Sequence, residues 1–154
     1  MADIVSPDVR SRMMSANKRR DTKPELLVRR YLHAQGFRFR LDVRKLPGRP
    51  DIVLARHHVA IFVHGCYWHR HRGCRFASIP KSNSEFWQEK FDRNVERDSR
   101  ARDDLLEKGW RVAVVWECAL AKNTLAANLS CLASWIHCGN TTIELPDADT
   151  AGSA

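Results

Sequence analysis

The sequence predicts an α/β sandwich around a small mixed sheet, with elements in the order ααβββαβα. Three observations predict it. Two short apolar runs, residues 52–54 and 59–63, are joined by the polar Arg56-His57-His58, the pattern of a hairpin. A third run, residues 112–116, is apolar throughout, as in a buried central strand. Between and around these runs lie segments with helical period and recognisable end signals. A length of 154 residues with 44% apolar composition suits a single core.

Each element has its own signal. Ser6-Pro7 opens a first helix running to about Lys18, followed by the basic Lys18, Arg19 and Arg20. Thr22 and Glu25 form a capping box, Pro24 sits in the first turn, and Gly36 stops the helix, which therefore covers residues 23–35. Leu27, Tyr31 and Ala34 fall on one face of that helix. Phe37, Phe39 and Leu41 alternate with Arg38 and Arg40, which predicts a half-buried strand. Residues 46–50 read as a turn, and Ser84 caps a long helix that ends at Gly109. Leu125, Leu129, Leu132 and Ile136 mark a last amphipathic helix covering one sheet face. One domain is expected over residues 1–138. Residues 139–154 have no apolar period and are expected to form a loose acidic tail.

Charge narrows the function. Lys and Arg number 26 against 18 Asp and Glu, a net charge of +8. The last basic residue is Lys122, and Glu144, Asp147 and Asp149 lie beyond it, so the positive charge belongs to the domain. Such a balance points to a polyanion, above all nucleic acid, with residues 1–20 as a DNA-contacting helix and arm. No window approaches a membrane span and no secretory signal is visible, so membrane and secreted classes are not expected. Five cysteines without such a signal fit a reducing compartment, here the cytoplasm.

The stretch from residue 63 to 74 concentrates the unusual chemistry. Cys66, His71 and Cys74 have spacings compatible with one tetrahedral ion, and Cys118, just past the buried strand, can supply the fourth ligand. Three thiolates and one imidazole make a closed, soft set that suits a structural Zn²⁺. Cys131 and Cys138 lie on or near the apolar stripe of the last helix and are read as small buried side chains. Pro50-Asp51 at a strand entrance, with a second strand about ten residues on, is the pattern of nuclease cores in which a strand-borne acid holds Mg²⁺. The usual Glu-x-Lys partner is missing. Val63-His64 stands in its place with His69 nearby, and either histidine can move protons at neutral pH. Tyr67, Trp68 and Trp87 are candidates for insertion between bases. Trp110, Trp116 and Trp135 lie in apolar surroundings and are read as packing.

Together these blocks carry a resemblance. Gly48-Arg49-Pro50-Asp51, the stretch from Val63 to His69, Asn94-Val95-Glu96-Arg97-Asp98, Gly109-Trp110-Arg111-Val112 and the stretch from Val115 to Leu120 resemble, in order, the very short patch repair (Vsr) DNA mismatch endonucleases. The likeness runs over about residues 9–137 and leaves the tail uncovered. It implies a restriction-endonuclease-like, three-layer α/β/α core with N-terminal helices and a structural zinc. It implies a Mg²⁺-dependent nick 5′ of the thymine in a T:G mismatch left by deamination of 5-methylcytosine. Carried over, Asp51 and the Val63 carbonyl are the Mg²⁺ ligands, and His64 and His69 handle protons. Asp98 supports His69, and Glu25 orients the site. Met14, Tyr67, Trp68 and Trp87 form the wedge, and Cys66, His71, Cys74 and Cys118 the zinc site. The resemblance also implies a monomer in a prokaryotic cytoplasm, associated with the nucleoid, with mismatch-repair proteins as candidate partners. Val63 replaces an expected threonine and Tyr67 an expected phenylalanine, while Arg70, Arg72 and Gly73 break an expected histidine run. Two other readings of the residues stay open: a zinc-containing DNA-binding module without catalysis, and a restriction-type nuclease cutting both strands of paired DNA.

Overall fold

The computed structural model describes residues 22–41, 43–72, 74, 77, 82–138 and 140–146. Their elements are α1 (Lys23–Ala34), β1 (Ile52–Leu54), β2 (Val59–His64), α2 (Ser84–Glu107), β3 (Arg111–Trp116), α3 (Leu125–Cys138) and β4 (Thr142–Leu145). The strands form one mixed sheet in the order β1-β2-β3-β4. β1 is antiparallel to β2, while β2/β3 and β3/β4 are parallel pairs whose crossovers are α2 and α3. The expected first helix, the basic arm and Met14 lie outside the described residues.

Alternation along the strands sends side chains to two cores. Ile52, Leu54, Val59, Ile61, Val63, Ala113 and Val115 pack with Val28 and Leu32 of α1 and with Leu129, Leu132, Trp135 and Ile136 of α3. Ala60, Phe62 and Val112 pack with Ala101 and Leu105 of α2 on the other face. Helices therefore cover both faces of the sheet. No described helix is long and apolar enough to cross a membrane.

Thr22 Oγ1 accepts the Glu25 N–H at 3.4 Å, half of the expected capping box. The other half does not form, because the Glu25 carboxylate turns inward and pairs with Arg29 at 3.0 Å. That inward turn changes the buried face of α1, which is Glu25, Val28 and Leu32, while Leu27 and Tyr31 only flank it and Ala34 is exposed. The strand expected at residues 37–41 reduces to a single bridge, Arg40 to Val53, with Leu41 exposed. Phe37 leaves the alternation to fill a gap beside His57 and His137. α2 is capped by Asn83 in the left-handed conformation, with Ser84 as its first helical residue. Thr142–Leu145, expected in the loose tail, pairs with β3 as an edge strand. Only Leu145 of it is buried, so no apolar period marked it. Cys131 and Cys138, expected to be buried, are exposed on α3.

Gly48 is where the loop before β1 meets α2. Its φ is +73°, and a Cβ there would lie 2.5 Å from the Ala101 Cβ and 3.2 Å from the Phe62 ring. Both the left-handed backbone and the contact with a helix require glycine. Gly48→Ala is expected to cost about 2–3 kcal/mol, read as a lower urea midpoint at unchanged slope. An unaltered midpoint would show that the loop is not seated on α2.

Candidate active site

The hairpin places the first acid. Asp51 stands one residue before β1, and its Oδ2 accepts the Val63 N–H at 2.7 Å. In the β1/β2 register the residue opposite Val63 is Pro50, which has no N–H. The ladder ends there, and the Val63 carbonyl meets no backbone donor from β1. The Asp51 carboxylate is thus anchored on the residue whose carbonyl lacks a backbone donor from β1, and carboxylate and carbonyl oxygens are the donor types that suit a hard divalent cation. Burial pushes the Asp51 carboxyl up to about 7, against the Val63 hydrogen bond that lowers it. Glu25 raises it further, while His69 and Arg29 oppose that rise. Glu25 is 3% exposed and is held by Arg29, so α1 brings a second carboxylate to the site already paired.

The proton-handling groups come from β2, the following loop and α2. His64 ends β2 on the α2 side of the sheet and is 7% exposed. Burial lowers its pKa to about 3, with neighbouring His69 adding to this and Asp98 opposing it, so His64 is neutral at physiological pH. Its Nδ1 is buried without a hydrogen-bond partner. The His69 ring lies parallel on that of His64, with centroids 3.9 Å apart and planes at 4°. His69 Nδ1 meets Asp98 Oδ2 of α2 at 2.5 Å. A carboxylate only accepts, so Nδ1 carries the proton and Nε2 is left as the basic nitrogen.

Beside these groups Tyr67, Trp68 and Trp87 form one aromatic surface around Phe91, which is 1% exposed. Trp68 and Trp87 have centroids 6.0 Å apart, and Lys90 Nζ lies over both rings at 5.6 and 5.4 Å. Phe86 extends the surface outward, 61% exposed. Asn94 donates to the Trp68 carbonyl at 3.2 Å, and Arg70 to the carbonyls of Tyr67 (3.2 Å) and Ala77 (2.8 Å). Phe91, Asn94, Arg70 and Arg29 were not anticipated as site residues. The four-residue spacing of Trp87 and Phe91 on one helix was the available signal.

The Cys/His set also converges. The ligand atoms of Cys66, His71, Cys74 and Cys118 lie within 4.8 Å of one another. His71 Nδ1 is 3.7 Å from Cys66 Sγ and 3.4 Å from Cys118 Sγ. A tetrahedral ion about 2.3 Å from sulfur and 2.0 Å from nitrogen sets such edges near 3.5 Å, so the donors fit a metal. Burial pushes the Cys66 and Cys118 thiols up, which is costly for thiolates unless a cation offsets it.

A buried acid anchored at a strand end, a histidine held by a carboxylate, and a surface of partly exposed aromatic rings are parts that an endonuclease-type hydrolytic site can use. Known proteins agree. The sequence model of the DNA mismatch endonuclease Vsr family matches residues 2–75. The chain is 45% identical over 142 residues to the DNA mismatch endonuclease Vsr of Escherichia coli (strain K12), covering 90% of both chains. It is 46% identical over 121 residues to the type II nicking enzyme V.XorIIP of Xanthomonas oryzae pv. oryzae, covering 79% of this chain and 88% of that one. With the type II nicking enzyme V.NmeAIP of Neisseria meningitidis it shares 43% over 125 residues, 81% and 89% of the two chains. The chain belongs to the Vsr family of DNA mismatch endonucleases. It is an enzyme, which sets aside the non-catalytic binding module.

The buried acid yields a stability prediction. Asp51 titrates near 7 in the fold and near 3.8 as an isolated group, so the fold favours its protonated form. That contribution is complete below about pH 4 and is lost as pH rises through about 7. Asn keeps an acceptor for the Val63 N–H and carries no charge. In Mg²⁺-free buffer Asp51→Asn is expected to melt a few degrees higher than wild type at pH 8 and at the same temperature at pH 4. A lower melting temperature at pH 8 would contradict a buried carboxylate.

Proposed function

We propose that the protein nicks one strand of duplex DNA 5′ of the thymine in a T:G mismatch, the lesion left when 5-methylcytosine deaminates. Mg²⁺ is the catalytic ion, Zn²⁺ the structural one, and the protein acts as a monomer. The observation that carries the reading is the buried Asp51 carboxylate, anchored on the Val63 N–H and within electrostatic reach of His69, which Asp98 holds.

Asp51 and Val63 would hold Mg²⁺, whose chemistry when bound is to polarise the scissile phosphate and stabilise the leaving 3′ oxygen. Asp51 enters this role desolvated and anchored, so its charge is fixed where the cation is needed. His69 Nε2 accepts the proton of the attacking water, and Asp98 holds the tautomer and offsets the charge that the imidazole gains. His64, kept neutral, offers a second nitrogen to water or to the phosphate. Glu25, paired with Arg29, fixes the approach of α1 to Asp51 and keeps a second negative charge from competing for the cation. Tyr67, Trp68 and Trp87, with Met14 from the N-terminal arm, enter the stack beside the mismatch, where pairing is already weak. Cys66, His71, Cys74 and Cys118 would hold Zn²⁺ and tie the loop bearing His69 and the aromatics to the end of β3.

Purified protein is expected to hold close to one zinc per chain, and Cys74→Ser to lower both zinc content and melting temperature. Full occupancy in that variant, read by elemental analysis, would remove Cys74 from the ligand set.

The activity test uses a duplex with one T:G pair, its fully paired counterpart, and Mg²⁺ present or absent. Asp51→Asn is expected to abolish nicking with binding retained, and His69→Ala to slow it by about a hundredfold or more. Trp68→Ala is expected to reduce mismatch preference more than total affinity, which itself falls steeply with salt. Cutting of both strands of the paired duplex would favour the restriction-type reading. Wild-type protein that never nicks T:G DNA with Mg²⁺ would end the proposal.

A further inference from the structure

The sheet face that carries the site continues beyond it. His64 of β2 stands directly opposite Trp116 of β3, and Glu144 of β4 stands opposite Val114, one diagonal step from Trp116. Trp116 Nε1 donates to Glu144 Oε1 at 2.5 Å. The indole, 7% exposed, lies flat on His71 (4.3 Å, 12°) and packs against His64 (5.2 Å, 71°). His64 then lies on His69, which is held by Asp98. A row of contacts thus crosses the sheet from the edge strand to the proton-handling pair.

His64 has little else to fix its ring. Its Nδ1 has no partner, so its orientation is set by the rings around it: His69, Phe62 and Trp116. Of these, Trp116 alone is anchored by a charged hydrogen-bond acceptor outside the site. A charged acceptor holds an indole N–H more firmly than a neutral one does. Removing it frees the indole to rotate and leaves a buried N–H unpaired.

We infer that Glu144 is a positioning residue: from β4 it fixes Trp116, and through Trp116 the angle at which His64 faces the scissile phosphate. The inference rests on the reading of His64 as part of the nicking site. The fourth strand thereby belongs to the catalytic apparatus, although two strands separate it from the strand that Asp51 precedes.

The test uses the full-length, zinc-loaded protein carrying Glu144→Ala, Glu144→Gln or, as a control on the same strand, Thr142→Ala. Three quantities are read: single-turnover nicking at saturating T:G DNA, DNA affinity, and the His64 ring resonances. Glu144→Ala is expected to slow nicking about tenfold, change affinity less than about twofold, and shift the His64 resonances at unchanged zinc content. Glu144→Gln keeps an acceptor and recovers most of the rate, and Thr142→Ala matches wild type. Unmoved His64 resonances overturn the inference. So does a rate loss that follows lost zinc or unfolded protein, or a Glu144→Gln variant as slow as Glu144→Ala. Full nicking by His64→Ala would instead overturn the reading of the site, since the Glu144 effect on the His64 ring is measured without activity.

Discussion

The site depends on one hydrogen bond, from the Val63 N–H to the Asp51 carboxylate. It forms because the β1/β2 ladder would place Pro50 opposite Val63, and proline offers neither a donor to the Val63 carbonyl nor room for another ladder rung. At this open end of the hairpin the Val63 carbonyl loses a backbone donor and the Val63 N–H recruits an acid. The cost is a carboxylate kept in surroundings that favour its protonated form. A fold selected for stability alone would put a neutral side chain there, so the penalty itself points to function.

Two supports keep the rest of the site in register with that bond. The Cys66, His71, Cys74 and Cys118 set brackets the loop after β2 and joins it to the turn after β3. α2 supplies Phe91, Asn94 and Asp98, which hold the aromatic surface, the Trp68 backbone and His69. The loop has little apolar core of its own, so the Cys/His cluster, whose donors fit a metal, and one helix take the place of packing. Trp116 touches both supports, with His71 on one side and His64 on the other.

Much of this was legible in the sequence because it lies in local patterns. The hairpin, the buried third strand, the caps and the C-x4-H-x2-C spacing are all short-range signals, and each led to a real element or cluster. What escaped depends on tertiary choice. Glu25 reads as half of a capping box, yet burial beside Arg29 and Asp51 gives it a different partner. Phe37–Leu41 alternates like a strand, but only Arg40 finds a rung. β4 carries one buried side chain in four residues, so hydrophobic period could not reveal it. Trp116 was legible as buried, while its bond to Glu144 required that unseen strand.

The central claim is that a divalent cation seats on Asp51 and the Val63 carbonyl. The most direct measurement is a titration of zinc-loaded protein with Mn²⁺, a paramagnetic stand-in for Mg²⁺, followed by backbone amide NMR. The account predicts that the amides of residues 51, 52, 63 and 64 broaden first, that Mg²⁺ reverses the broadening, and that Asp51→Asn abolishes it. Broadening that persists in Asp51→Asn, or that centres on Asp98, would contradict it and move the cation to the His64, His69 and Asp98 cluster.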